Sequence, residues 1–403
     1  MGALSSTESE AAERAAAEPM LAQVEAWAAV NSGTGNLKGL KAVAGSLADA
    51  FSVLPGEVRM AEATPVREVD PDGSVRETTH GANLLLSVRP QAPLQLLLTG
   101  HMDTVFAADH PFQALSWIEP DKVLGGPGVA DMKGGIAVML AALKAIEASP
   151  ERGAIGYEVV LNSDEEVGSP GSAALIARAA QGKKAALTYE PAALPDGTLA
   201  GARPGSGNFS FVVKGRSAHA GRNPEDGRNA LVAAAELALR LAHSKTPGLS
   251  VNPARIDGGS PNNVVPDLAI LRANFRPLTG DDQAIAERLI ADAVEQTATT
   301  HEVYVEVHGG FGRPPKPMTG EAEALFQLVR KAGADLGQQI GWQPSGGVCD
   351  GNNIAACGVP VVDTMGVRGG KIHSAEEYLI VDSLAERAAL SALTILRLAG
   401  GSA

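Results

Sequence analysis

Stretches of apolar residues alternate with polar breaks along most of the chain, and their period shifts between that of a helix and that of a strand. Residues 8–30 show helical spacing, ended by Asn31-Ser-Gly-Thr-Gly-Asn36. Helical spacing resumes over 37–51, where Leu40, Val43, Ala44 and Leu47 share a face. Residues 58–66 and 82–88 are predicted strands on either side of the turn Asp70-Pro-Asp-Gly73. Residues 94–99 read as a buried strand that Gly100 terminates. A helix over 134–148 and strands over 157–162 and 185–189 follow. Strands separated by helices make parallel connections, so this part predicts an α/β fold with a mixed, mostly parallel sheet flanked by helices.

Near Gly205 the pattern changes. Strands over 208–215, 249–256, 267–276 and 302–308 and helices over 229–243 and 281–300 come in the order βαββαβ, a small sheet with two helices. This predicts an inserted α+β domain over 205–312, splitting a larger domain into 1–204 and 313–403. Pro and Gly cluster at both joins, in Arg203-Pro-Gly-Ser-Gly207 and Gly309-Gly-Phe-Gly-Arg-Pro-Pro315, and read as hinges. A helix over 321–336, a polar loop over 345–352, a strand over 359–364 and a helix over 381–398 complete the chain.

Composition narrows the function. A chain of 403 residues is too long for one ordinary core, which also points to two domains. Net charge is -13 with no basic stripe, which argues against a nucleic-acid partner. No apolar run reaches the roughly 18 residues of a membrane span, so no membrane partner is expected. The first twenty residues are Ala- and Glu-rich and lack the basic start and apolar segment of a secretory signal. Two cysteines, Cys349 and Cys357, make neither a disulfide framework nor a thiolate cluster. A cytoplasmic setting is expected, or a periplasmic or secreted one if a signal has been removed.

The chemistry sits where predicted strands end. His101 and Asp103 follow the strand at 94–99, and residues two apart on extended backbone point the same way. Asp131 stands among glycines just before a helix N-terminus, a place that tolerates negative charge. Ser163-Asp-Glu-Glu-Val-Gly168 follows the next strand, and Glu190 the one after. His373 lies in a Gly-rich loop after the strand at 359–364. Ligands of open α/β sheets bind at the carboxyl ends of strands. Two imidazoles and several carboxylates (Asp131, Glu165, Glu166 and Glu190) with no thiolate suit zinc, with cobalt or manganese as substitutes. Two such ions need a bridging carboxylate, and one carboxylate must stay free to take a proton from water.

These motifs resemble one family. Gly100-His-Met-Asp103, Gly128-Val-Ala-Asp-Met-Lys-Gly-Gly135, Asp164-Glu-Glu-Val-Gly168, Tyr189-Glu-Pro191, Gly215-Arg-Ser-Ala-His-Ala-Gly221, Gly258-Gly-Ser-Pro-Asn-Asn-Val-Val-Pro266 and His373-Ser374 run in the order found in the co-catalytic zinc metallopeptidases of the glutamate carboxypeptidase, acetylornithine deacetylase and succinyl-diaminopimelate desuccinylase type. The resemblance is closest to the glutamate carboxypeptidase branch. It implies a zinc-peptidase-like sheet with a ferredoxin-like lid and dimerisation domain, two zinc ions per chain, and a homodimer. It implies that His101, Asp131 and Glu190 hold one zinc and that Asp131, Glu166 and His373 hold the other, with Asp131 as the bridge. Glu165 is then the general base, and Asp103 orients His101. His219 reaches the site across the dimer, and Asn263, Arg276 and Arg313 contact the substrate. A cis peptide is implied at Asp131-Met132. The implied reaction is hydrolysis of an amide bond next to a free carboxylate, by a carboxypeptidase or an N-acyl amino acid amidohydrolase acting on a small molecule or short peptide. An acetylornithine-type deacylase and a non-catalytic peptide- or amino-acid-binding relative are the alternatives. Residues 191–199 carry no lysine, where glutamate-specific relatives can carry one.

Overall fold

The computed structural model describes residues 4–401. Two of its sheets carry the site. The chain first lays down β1 (Glu57–Ala61), β2 (Asn83–Val88), β3 (Leu94–His101), β4 (Ile155–Asn162) and β5 (Ala185–Thr188). It then builds a second sheet from β6 (Ser206–Lys214), β7 (Leu249–Gly258), β8 (Leu268–Pro277) and β9 (Tyr304–Arg313), and returns to the first with β10 (Val361–Val362). The helices are α1 (Ser6–Ala16), α2 (Met20–Ala28), α3 (Leu37–Phe51), α4 (Gly135–Ala148), α5 (Ala173–Ala180), α6 (Ala230–His243), α7 (Gly280–His301), α8 (Gly320–Asp335), α9 (Asp350–Ala356) and α10 (Asp382–Ala399).

The first sheet has the order β1-β2-β4-β3-β5-β10. Its two outer pairings, β1 with β2 and β2 with β4, are antiparallel, and the other three are parallel. Helices cover both faces. Leu96 and Leu98 pack into the core that includes Ile136 and Met139 of α4, whereas Leu97 points to Ile176 of α5 and Ile354 of α9. This explains the consecutive leucines 96–98 of β3, since a strand buried on both faces has no polar side there. Because β3, β4 and β5 run parallel and adjacent, with His101 level with Asn162, their carboxyl ends open on one edge.

The second sheet is antiparallel with the order β7-β8-β6-β9. Its residues of one parity, such as Phe211, Leu271 and Phe275, pack with Leu237 of α6 and Ile290 of α7. The opposite face looks away from these helices.

Several expected boundaries differ. The helix expected over 8–30 is two helices, because Pro19 has no N–H and stands at the cap of α2. The turn at Asp70–Gly73 does not join two strands of the main sheet. It closes a separate hairpin of Val66–Val69 and Val75–Thr78, packed on the second sheet through Val69, Val212 and Ile270. The expected hinge at 309–315 is strand up to Arg313, because β9 continues its pairing with β6. Beyond it, Lys316 bridges to Arg203, so both joins lie side by side. The loop at 345–352 already contains the start of α9, and the strand expected over 359–364 shortens to Val361–Val362.

Candidate active site

The ends of β3, β4 and β5 bring His101, Glu165, Glu166 and Glu190 together with Asp131, from the turn before α4, and His373, from the loop between the short strands Gly369–Gly370 and Tyr378–Ile380. Asp131 presents one carboxylate oxygen to each imidazole: Oδ1 lies 3.1 Å from His101 Nε2 and Oδ2 lies 3.2 Å from His373 Nε2. Glu190 reaches within 3.7 Å of the same His101 nitrogen, and Glu166 within 3.1 Å of that of His373. Ligand atoms of His101, Glu165 and Glu190, and of His101, Asp131 and Glu166, lie within 4.8 Å of one another. His101 and Asp131 are buried, and the His373 side chain is half exposed.

The supports of this cluster are buried as well. Asp103 is fully buried, with Oδ1 3.4 Å from His101 Nδ1. Its carboxylate accepts the backbone N–H groups of Glu165 and Glu166 at 3.2 Å and the Thr34 hydroxyl at 2.7 Å. It therefore fixes the acidic turn after β4 relative to the end of β3. The loop carrying Asp131 is held from outside. Glu377 accepts the N–H groups of Gly128, Ala130 and Asp131 at 3.0–3.1 Å, and Asp131-Met132 is cis. At Gly128, with φ +73, a side chain would be in the left-handed region.

Arg313 is not a solvated surface residue, although it lines the cleft below the cluster. It is buried at the end of β9, and Nη2 donates to Glu165 Oε1 at 2.6 Å and to Ser169 Oγ at 3.0 Å. Nη1 donates to Asp350 Oδ1 at 2.9 Å. Asp350 also accepts from Asn162 and Ser169, so one buried polar network joins β4, β9 and α9.

Charge follows geometry. Burial pushes the Glu165 carboxyl well above the usual range, against the pull of Arg313. Burial and the nearby Asp131 charge push Glu166 up to about 7. Asp131 moves the other way, because His101 and His373 outweigh its burial. The hydrogen bonds to Asp131 and Glu166 push His373 up to about 11. Crowded buried carboxylates facing two imidazoles are costly without cations, and this donor set fits divalent metal ions. Cys349 stands outside it, buried with Sγ 3.5 Å from Asp363 Oδ2.

The cluster opens into a cleft of about 1220 Å³. Glu165, Glu166 and His373 line one side, and Asn208, Asn274 and Arg276 of the second sheet line the other. Arg276 donates from Nε to Asn274 Oδ1 and from Nη1 to Gly346 O, both at 3.1 Å. His219 and Asn263 do not line this cleft. They are exposed on adjoining loops, where Ala220 N–H donates to Asn263 O at 3.0 Å and His219 bridges to Val264. Arg313, Asp350 and Glu377 escaped sequence reasoning as supports, since only the fold places them against Glu165 and Asp131.

Residues 97–397 match the model of peptidase family M20/M25/M40. The chain belongs to this family. It is 30% identical over 382 residues to carboxypeptidase G2 of Pseudomonas sp. (strain RS-16), covering 92% of this chain and 87% of that protein. The dipeptidase Dug1p of Saccharomyces cerevisiae superposes with a TM-score of 0.72 at 13% identity, over 98% of this chain and 99% of that one. The YXEP protein of Bacillus subtilis, a dinuclear metal-binding peptidase of the M20 family, superposes with a TM-score of 0.64 at 16% identity, over 94% and 97%. As a member of the M20/M25/M40 family, the chain is a metal-dependent hydrolase of amide bonds. No helix among the described residues is long and apolar enough to cross a membrane.

Proposed function

We propose that this M20/M25/M40 peptidase is a two-zinc hydrolase that cleaves an amide bond beside a free carboxylate, as a carboxypeptidase or N-acyl amino acid amidohydrolase. The observation that carries this reading is the placement of Asp131, with one oxygen toward each histidine. In this reading His101, Asp131 and Glu190 hold one ion, and Asp131, Glu166 and His373 the other. When bound, such a pair lowers the pKa of water and polarises a carbonyl.

The chain's own residues supply the rest. Arg313 occupies Glu165 Oε1, which leaves Oε2 to take the proton of the attacking water and return it to the leaving amine. His101 Nδ1 lies 3.1 Å from the main-chain O of Asp103 and 3.4 Å from its Oδ1, so Asp103 fixes the ring with Nε2 facing Asp131. Arg276 is suited to grip the substrate carboxylate, since a guanidinium can pair with both oxygens.

The segment 205–312 acts as a lid and dimer surface in this proposal. The exposure of Leu231, Val232 and Leu239 on α6 supports such a surface. His219 and Asn263, exposed and away from their own cleft, would serve the partner's site. Two free cysteines, one buried and one exposed, support a reducing, cytoplasmic setting.

The test is a panel of N-acyl amino acids and dipeptides with Glu165→Gln as comparison. Turnover of a carboxylate-bearing group, lost by about 10²–10⁴-fold in the variant with metal content unchanged, supports the reading. Turnover retained in Glu165→Gln overturns it. Sedimentation of the purified chain as a monomer would remove the dimer.

A further inference from the structure

The face of the second sheet that looks into the cleft carries a row of carboxamides. Asn208 of β6 is level with Asn274 of β8, which is level with Asn252 of β7. The neighbouring row places Arg276 level with Ser250. The alternate residues Phe209, Phe211 and Phe275 go to the helix side, so the amides of both rows project together on the open side.

The hydrogen bonds leave a specific set of groups unspent. The Asn274 amide nitrogen donates to Asn208 Oδ1 at 2.8 Å and to Ser206 Oγ at 3.0 Å, and its oxygen accepts from Arg276 Nε. The Asn274 amide nitrogen, which also lies 3.2 Å from Gly207 O, is thereby fully engaged, and the residue acts as an orienting post. It occupies the acceptor of Asn208, which turns the donor end, Nδ2, toward the cleft. Among the described residues, Asn208 Nδ2, the Asn252 amide and Arg276 Nη2 have no hydrogen-bond partner.

Charge decides what fits there. Of the arginines on this face, Arg255 and Arg272 pair with Asp257, and Arg313 pairs with Glu165 and Asp350. Arg276 alone among them has no carboxylate partner in the described residues. One cation accommodates one substrate carboxylate. On the hairpin side Asn208 and Asn274 are flanked by Arg67 and Arg272, but on the cleft side the amide row is neutral apart from Arg276. A second carboxylate entering from the cleft meets no further unpaired cation there, whereas a neutral carboxamide finds a donor in Asn208 and both a donor and an acceptor in Asn252.

We infer that Asn208 and Asn252, aligned by Asn274, form a specificity subsite for a neutral carboxamide side chain, so that the residue whose free carboxylate meets Arg276 is of the glutamine or asparagine type. This rests on the proposed cleavage beside a free carboxylate, and its test does not require turnover. Binding of the free amino acids glutamine, glutamate and leucine to the zinc-replete full chain would be measured by calorimetry, in the native protein and in Asn208→Leu. Asn208 is exposed, so the variant retains the fold.

Glutamine is expected to bind on the order of tenfold more tightly than leucine, as one to two neutral hydrogen bonds allow. Asn208→Leu should erase that difference while leaving leucine binding in place. Equal affinities, tighter binding of glutamate than of glutamine, an equal loss for all three ligands in the variant, or no binding at all would overturn the subsite. Hydrolysis of the panel above is read separately, so loss of the reaction and loss of the subsite are distinguishable.

Discussion

Replacing Arg313 with methionine separates two roles an arginine beside an active site can play. The guanidinium is 3% exposed and makes hydrogen bonds to Glu165 Oε1, Glu165 O, Ser169 Oγ, Asp350 Oδ1 and Asn353 Oδ1, at 2.6–3.1 Å. Methionine approximates the buried stem but supplies no donor. Asp350 keeps its bonds to Asn162 and Ser169 but loses its cation, and Glu165 loses the bond that fixes Oε1. Breaking a buried ion pair by removing one partner costs about 3–5 kcal/mol. The value here should lie near the lower end, about 3 kcal/mol, because Asp350 retains two other donors. A general base contributes about 10²–10⁴-fold when correctly placed, and an unfixed Glu165 should lose about 10²-fold of it. Steady-state kinetics should therefore show kcat lower by about 10²-fold with KM changed by less than about threefold. Urea unfolding should show the stability loss, and Arg313→Lys should recover part of both. A raised KM with unchanged kcat would refute this reasoning and make Arg313 a grip for substrate.

Burial would raise the pKa of Asp363, but Arg203 and Lys316 overcome it and hold the carboxyl down to about 2. The ordinary value is about 3.9, so the folded state favours the ionised form by about 2–3 kcal/mol. That stability is present above about pH 4 and is lost as pH falls toward 2. Asp363→Asn should remove this acid-dependent part, measured by denaturant unfolding across that range. Glu377→Gln replaces one of the two oxygens that hold the N–H groups of Gly128, Ala130 and Asp131 with a competing donor. Metal affinity should fall about 10–100-fold, read by competition with a chromophoric chelator; unchanged affinity would show that the loop holds itself.

The parts of the molecule that were legible in the sequence share a physical cause. The middle of a strand buried on both faces is apolar on both sides, so Leu96, Leu97 and Leu98 of β3 stood out, and the charged residues at its end were conspicuous because burying them is costly. The same reasoning located Glu165, Glu166 and Glu190, whereas Asp131 was marked by the glycines before a helix N-terminus and His373 by a Gly-rich loop. The order βαββαβ of the second sheet was readable because its helices and one sheet face share a separate core. What was not legible depends on distant segments meeting. Arg313 and Glu165 are 148 residues apart, and nothing local to Arg313 distinguishes it from a surface arginine. Glu377 meets the Asp131 loop across 246 residues. The hairpin strands Val66–Val69 and Val75–Thr78 were missed because each is four residues long and Val69 is their one buried residue, and only docking on the second sheet shows where they belong.

The central claim is that Asp131 joins two metal ions into one centre. Metal content by elemental analysis, on the native chain and on Asp131→Ala after both have been supplied with zinc, tests it directly. About two zinc ions are expected per native chain, as a bridged pair requires, and less than about one in the variant. A native chain that holds no zinc, or a variant that keeps both ions, would contradict it.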